Sequence, residues 1–207
     1  MYTPEIYRIE DQEEIRAMIR ACGLATLVTV SSQGMIGTPV PLFLAAEEEE
    51  QGVLYGHIAR ANPQWQDCTE PEALVIFSGA DAYVTPAWYP AKNETGRVVP
   101  TWNYLAVHAY GPVEFFEDPA RLLDVVSRLT DFHEGGNQVP WSVKDAPQDF
   151  IAGQLRAIVG VRIPIHRLDA KKKVNQRNTP VDRAGVRTGL QSRGLPGDLE
   201  IAGKIPH

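Results

Sequence analysis

The sequence predicts a mainly β protein, an antiparallel closed or partly open barrel with peripheral helices, and three observations carry that reading. Five extended runs rich in β-branched and aromatic residues follow one another, separated by turn residues. The helical patterns lie at the ends and in one inserted pair, so the strand-helix alternation of a parallel sheet is missing. With 207 residues, 43% hydrophobic and 22% charged, the chain can bury a full core and has ordinary globular composition.

Asp11 and Glu14 form a capping pair ahead of Ile15, Met18, Ile19 and Cys22, which predicts a helix over about 11–21. Leu24 to Val30 is a strand that ends at the turn Ser31-Ser32-Gln33-Gly34, and Met35 to Ala45 pairs back on it. Pro39 and Pro41 each remove a backbone donor from that second run, so it should be an edge, a bulge, or a strand with a ligand beside it. Val53 to Ile58 is the third strand. Ala73 to Ser78 is the fourth, broken at Gly79-Ala80-Asp81 and resumed over Ala82 to Thr85. Residues 86–99 carry too many prolines and polar residues for regular structure, and a loop of that length suits a functional or partner-contacting role. Trp102 to Phe116 is the fifth run, with Trp102, Tyr104, His108 and Tyr110 on one face and Asn103, Leu105, Val107 and Ala109 on the other. Asp118-Pro119 opens a helix with Leu122, Leu123, Val125, Val126 and Leu129 inward, and Asp145 to Gln148 caps another carrying Phe150, Ile151 and Leu155. Ala157 to Leu168 returns to strand character.

Chemistry concentrates at Gly56-His57-Ile58-Ala59-Arg60-Ala61-Asn62-Pro63-Gln64-Trp65. Here a strand gives way to a short helix that Asn62 can cap, with Pro63 at its first position. Backbone N–H groups and the Arg60 guanidinium at one such corner suit an anion, most often a phosphate. His57 and His108 are the candidates for proton chemistry, with a hydrogen-bonded core role as the alternative for each. No P-loop, dinucleotide fingerprint, nucleophile elbow or His-Glu-x-x-His helix is present. Asp131, His133 and Glu134 end a helix, where such residues serve as caps and charges, so no metal site is expected. Cys22 and Cys68 belong to no Cys-x-x-Cys pair and are expected as packing residues. The N-terminus lacks a basic, apolar leader and no run reaches bilayer length, which predicts a cytoplasmic chain with no membrane partner.

Charge is unevenly spread. The net charge is −6, yet residues 166–207 hold nine Lys/Arg against four Asp/Glu, so the rest of the chain carries −11. The expected organisation is a body over 1–168 and a basic C-terminal arm over 169–207. Such an arm offers phosphates sequence-independent attraction, so nucleic acid is a conceivable partner. The acidic body and the lack of a helix-turn-helix pattern count against direct DNA binding.

Four motifs in matching order resemble the PaiB-type family of FMN-binding negative transcriptional regulators. They are the Gly56 to Trp65 stretch; Tyr83-Val84-Thr85-Pro86-Ala87-Trp88-Tyr89-Pro90; Val99 to Tyr104 with Val107-His108-Ala109; and Pro140-Trp141 with Asp145-Ala146-Pro147. The resemblance runs from Met1 to about Leu190. It implies an FMN-binding split β-barrel, homodimeric, with the flavin at the subunit interface. By position it assigns Arg60 and Asn62 to the FMN phosphate, and Thr38 and Val40 to the strand bordering the flavin ring. Trp102 and His108 join this cofactor-binding set. Lys171, Lys173 and Gln176 also carry over, from a segment resembling the family's Gly-Lys-Trp-Lys-Leu-Ser-Gln-Asn pattern. Lys172, Asn175 and Arg177 depart from that pattern, replacing an aromatic residue, a serine and an asparagine. The implied function is that of a flavin-dependent sensor or transcriptional regulator. An FMN-dependent oxidoreductase acting on a small molecule is the alternative, and the residues name no catalytic group for it.

Overall fold

Asp11 opens the first helix as its spacing requires, its Oδ1 accepting from the Glu14 backbone N–H at 2.9 Å. The computed structural model describes residues 1–207. Helix α1 (Gln12–Ala21) buries Ile15 and Ile19. Strands β1 (Ala25–Ser31) and β2 (Gly34–Val40) form the expected antiparallel pair, in register from Ala25 against Val40 to Ser31 against Gly34. The single run expected over 35–45 divides at Pro41. Beyond it β3 (Leu42–Ala45) joins a different sheet, because a residue with no N–H cannot continue the ladder. Strand β4 (Val53–Ala59) pairs with β3, and Gly56 is needed there: a Cβ would collide with the Pro41 carbonyl oxygen.

Strand β5 (Glu72–Val84) is continuous, where a break was expected at Gly79. The glycine marks a close approach: a Cβ on Gly79 would lie 2.9 Å from Leu105 Cβ. The following loop contains a 3₁₀ turn over Pro86–Trp88, capped by Thr85, and one helical turn, α2 (Ala91–Glu94), so it is less irregular than its composition suggested. The fifth run is two strands, β6 (Thr101–Pro112) and β7 (Glu114–Phe116). They part at Val113, whose N–H turns away to the Pro71 carbonyl at 2.8 Å. Along β6 the expected alternation holds, with Asn103, Leu105, Val107 and Ala109 all buried.

Helix α3 (Pro119–Glu134) is capped by Asp118 and buries Leu122, Val125 and Leu129. Leu123, expected inward, is 41% exposed. Asp145 does not cap α4 (Gln148–Leu155); it closes a capping box with Ser142 around the preceding 3₁₀ turn. Phe150 is exposed on that helix. Strands β8 (Ile158–Pro164) and β9 (Arg167–Lys173) are followed by α5 (Pro180–Arg193) and α6 (Pro196–Lys204). Those two helices went unread in the sequence, although Thr179-Pro180, Val186 and Leu190 at helical spacing, and Gly194 with φ +70° as the C-cap all mark α5.

The strand orders are β2-β1-β5-β6-β9 and β3-β4-β8-β7. The architecture is thus mainly antiparallel sheet with helices, as expected. No helix is long and apolar enough to cross a membrane. The chain divides into two compact units, one of Met1–Met18, Ser78–Val107 and Asp169–His207, the other of Ile19–Phe77 and His108–Leu168. In the first, Ala82, Val84, Tyr89, Leu105, Val174, Val186, Leu190 and Ile201 form the core. Gly185 and Gly189 keep one face of α5 bare so that Trp88 can lie against it. In the second, Phe43, Ala45, Phe116, Leu122, Val125 and Leu129 form the core. The basic C-terminal segment therefore contributes a strand and two helices to the first unit.

Candidate functional site

In the second unit, β4 runs out at Ala59 and the chain turns through Arg60 into the 3₁₀ turn Pro63–Trp65. Asn62 caps that turn as the sequence predicted, its Oδ1 accepting from Gln64 N at 3.0 Å. Its Nδ2 donates to Thr38 Oγ1 at 3.0 Å, so two candidate residues from distant stretches meet. Between them lies Gln64, fully buried, which sequence reasoning passed over. Gln64 Oε1 accepts from Thr38 Oγ1 at 2.6 Å and its Nε2 donates to Thr29 Oγ1 at 3.0 Å. Val40 is the last residue of β2 and is buried. Strand β2 has β1 as its single neighbour in the sheet order, so its outer edge has main-chain groups that no strand pairs.

Arg60 is held from three sides. Its Nε donates to the Arg156 carbonyl at 2.6 Å, one terminal nitrogen to the Ile158 carbonyl at 3.1 Å, and the other to the Glu117 carboxylate. An anion arriving here competes with Glu117, whose side chain is 53% exposed; an ion pair that open to water is weak and exchangeable. His57 lies on β4, half-buried, and its Nδ1 is buried without a partner. Desolvation lowers its pKa from the usual 6.5, favouring the neutral imidazole. His108, on β6, has Nδ1 3.5 Å from the Tyr110 hydroxyl.

In the first unit the lysines of β9 are engaged. Lys171 is buried and donates to the Tyr2 carbonyl at 3.2 Å, with its ammonium 5.1 Å from the Tyr104 ring centroid. Lys172 pairs with Glu14 at 2.5 Å. Lys173 Nζ donates to Thr101 Oγ1 at 2.5 Å and to the Trp102 carbonyl at 2.8 Å, which brings two candidate residues together. Burial lowers the Lys173 pKa, Lys171 adding repulsion and Tyr104 opposing the shift. Gln176 braces its own segment: Oε1 accepts from Val174 N at 2.7 Å and Nε2 donates to the Lys172 carbonyl. Trp102 is 53% exposed and meets Tyr83 edge-on at 5.8 Å. Further along the segment, Arg183 and Arg187 donate to carbonyls of residues 205–207, and Arg193 pairs with Asp198 and donates to the Tyr83 carbonyl. The basic charge of this segment is therefore largely spent inside its own unit.

A cavity of about 300 Å³ in the first unit is lined by Tyr7, Arg97, Asn103, Lys173, Asn175 and Arg177 among others. None but Lys173 was singled out as a site residue. The available signal was Asn103, a polar residue in register with Leu105, Val107 and Ala109 on the buried face of β6.

Residues 1–167 match the model of the family described as "Putative FMN-binding domain". The chain belongs to this family. FMN is the cofactor that membership in it brings, and the PaiB-type resemblance read from the motifs is borne out. Over 205 residues the chain is 31% identical to the protease synthase and sporulation protein PAI 2 of Bacillus subtilis (strain 168), covering 98% of this chain and 95% of that protein. Two solved structures share the fold. The flavocytochrome Anf3 from Azotobacter vinelandii has a TM-score of 0.59 and 18% identity, with 86% of this chain and 75% of that chain covered. The FAD and heme binding protein from Mycobacterium smegmatis has a TM-score of 0.59 and 13% identity, covering 86% and 78%. The residues of the second-unit corner fit the FMN family's cofactor: a guanidinium with an exchangeable partner for the phosphate, and an unpaired strand edge for the polar rim of a flavin.

Proposed function

We propose that this protein is a PaiB-type flavoprotein that acts as a flavin-dependent sensor or regulator. The observation that carries the flavin part of this reading is the corner at Arg60, Asn62 and Thr38 beside the open edge of β2. Arg60 and Asn62 take the phosphate end, Arg60 by exchanging Glu117 for the cofactor, while Thr38 and Val40 offer the strand edge. Bound FMN supplies a redox-active ring whose oxidation state a regulator can report. Trp102, His108 and Lys173 are the further cofactor contacts; Lys171 supports them by tying β9 to the Tyr2 carbonyl, and Gln176 by fixing the course of the chain after β9. The family match, ending at residue 167, supports residues 1–168 as the flavin-binding part. The regulatory part leans on the relative named for protease synthesis and sporulation. Exposed Tyr83 and Trp102 support a homodimer, since aromatic anchors suit an interface. Sedimentation at low micromolar concentration should then give twice 22.9 kDa. A monomer with full FMN affinity would defeat an interface-borne flavin.

A second reading, an FMN-dependent oxidoreductase acting on a small molecule, is favoured by His57, a neutral imidazole with an unpaired buried nitrogen. Flavin reduction by a small-molecule donor, abolished in His57→Gln with FMN still bound, would select it.

The absorption spectrum of the purified protein, titrated with FMN and with riboflavin, tests the flavin assignment. Wild type should prefer FMN. Arg60→Ala should lose that preference, weakening FMN by about ten- to hundredfold, the value of a charge-assisted bond of about 1.5–3 kcal/mol. Glu117→Gln should tighten FMN, because it removes the competitor. Equal affinity of wild type for FMN and riboflavin would show the phosphate assignment to be wrong.

A further inference from the structure

We propose that the first-unit cavity is a ligand site for a small organic anion that also carries a neutral hydrogen-bond donor, the chemistry of a hydroxycarboxylate or a hydroxylated phosphate ester. The inference goes beyond the flavin reading, uses none of its phosphate-corner residues and shares Lys173 alone with its further contacts.

Charge is the first argument. Arg97, Lys173 and Arg177 line the cavity against a single carboxylate, Asp182. That carboxylate is already engaged, Oδ1 with the Ala91 N–H at 3.2 Å and Oδ2 with the Thr179 hydroxyl at 3.1 Å. Arg97 and Arg177 form no salt bridge, in contrast to Arg60, Arg121, Arg128, Arg162 and Arg193, each of which holds a carboxylate. Arg177 is steadied over the Tyr7 ring, 5.6 Å from its centroid. Two unengaged guanidinium forks at the rim match a carboxylate or phosphate, which accepts two parallel bonds from each. Lys173 adds positive potential from the wall while its ammonium stays on Thr101 and Trp102.

The second argument is an acceptor with nothing to accept. Asn103 is fully buried, its Nδ2 donates to Asn175 Oδ1 at 2.5 Å, and its own Oδ1 has no partner. The orientation follows from its neighbour. Asn175 Nδ2 donates to Asn178 Oδ1 at 3.1 Å and to the Tyr89 hydroxyl at 2.9 Å, so Asn175 Oδ1 is left to receive the Asn103 donor. Asn175 adopts φ +61°, a left-handed conformation that asparagine tolerates better than other side chains and that here keeps its amide in this chain of bonds. Buried acceptors without donors are rare in folded proteins. A ligand hydroxyl or amide N–H would satisfy this one. An ammonium group would not suit, because three cations already line the space. At about 300 Å³ the cavity lies at the small end of ligand sites, which fits a metabolite of malate's size better than a nucleotide.

Calorimetric titration of the flavin-loaded full chain with L-malate, succinate, glycerol 3-phosphate and propyl phosphate tests the proposal. Malate and succinate differ by one hydroxyl, and so do not share a donor for Asn103. Malate or glycerol 3-phosphate should bind, identifying which oxyanion the forks prefer. The matched anion without the carbon-borne hydroxyl, succinate or propyl phosphate, should bind at least tenfold more weakly. Arg97→Gln with Arg177→Gln, both exposed positions with little bearing on folding, should abolish binding and leave FMN affinity unchanged. Three results would overturn the proposal: no binding of any probe at millimolar concentration, equal binding with and without the hydroxyl, or release of FMN by the probe. The last would assign the cavity to the flavin. Should the chain take up no flavin, the same titration on the flavin-free protein still decides this proposal, so the two readings fail separately.

Discussion

The Asn62 corner of the second unit and the Asn103 cavity of the first are both built from carboxamides, and they end differently. Around Asn62 the network closes: Thr38, Gln64 and Thr29 supply a partner for each amide group in turn. Around Asn103 the chain of amides runs from Asn178 through Asn175 and stops at an acceptor with no donor. A closed network fixes a backbone turn and holds Arg60 and the β2 edge in place for a ligand; an open one leaves an acceptor that a ligand itself can satisfy. The same contrast holds for the arginines, since Arg60 is held by a carboxylate and two carbonyls while Arg97 and Arg177 have no salt bridge.

The sharpest way to break this comparison is at Gln64. Gln64→Leu removes a buried amide, taking from Thr38 its acceptor and from Thr29 its donor, while the Asn62 cap on the backbone N–H of residue 64 remains. Urea unfolding should report a loss of about 2–4 kcal/mol, the range for breaking a buried hydrogen-bond network. A loss under about 0.5 kcal/mol would mean that the corner is not held by this network.

Asn103→Leu should cost less, about 1 kcal/mol or below, although Asn103 is as deeply buried. It leaves Asn175 Oδ1 without its donor, yet it also removes an acceptor already unsatisfied, and those effects oppose one another. If Asn103→Leu proves as damaging as Gln64→Leu, its Oδ1 is satisfied in solution and the two regions are alike.

Much of the frame was legible. The Asp11, Asn62 and Asp118 caps, the β1–β2 hairpin and the alternation along β6 are local features, set by neighbours in sequence. What could not be read was long-range. Gly79 looked like a strand break because the Leu105 side chain that needs the space lies 26 residues away in sequence. Pro41 looked like one more edge proline because nothing nearby says that β2 and β3 belong to different sheets. At the site, Arg60 and Asn62 could be placed at one corner from the sequence, but not Glu117, which arrives from a distant strand connection. Gln64 was overlooked for the same reason, since a glutamine in a turn reads as solvated until its partners on β1 and β2 are known.

The smallest expected effect belongs to His57, and it separates a sealed imidazole from a solvated one. Burial lowers its pKa below 6.5, so the unfolded chain takes up the proton more readily than the folded one. The sign follows: above about pH 6.5 both states hold a neutral ring and His57 imposes no pH cost. As the pH falls below that value the unfolded state gains protons first, and stability declines until the folded-state pKa is passed. The slope from this one group cannot exceed about 1.4 kcal/mol per pH unit. His57→Gln, which keeps a polar group on β4 and does not titrate, should flatten the dependence of the urea midpoint between pH 7.5 and 5.5 by that share. The measurement is a difference between the two proteins, so the remaining histidines cancel. Identical slopes would mean that His57 is protonated as easily folded as unfolded, and that its ring is solvated and not sealed on β4.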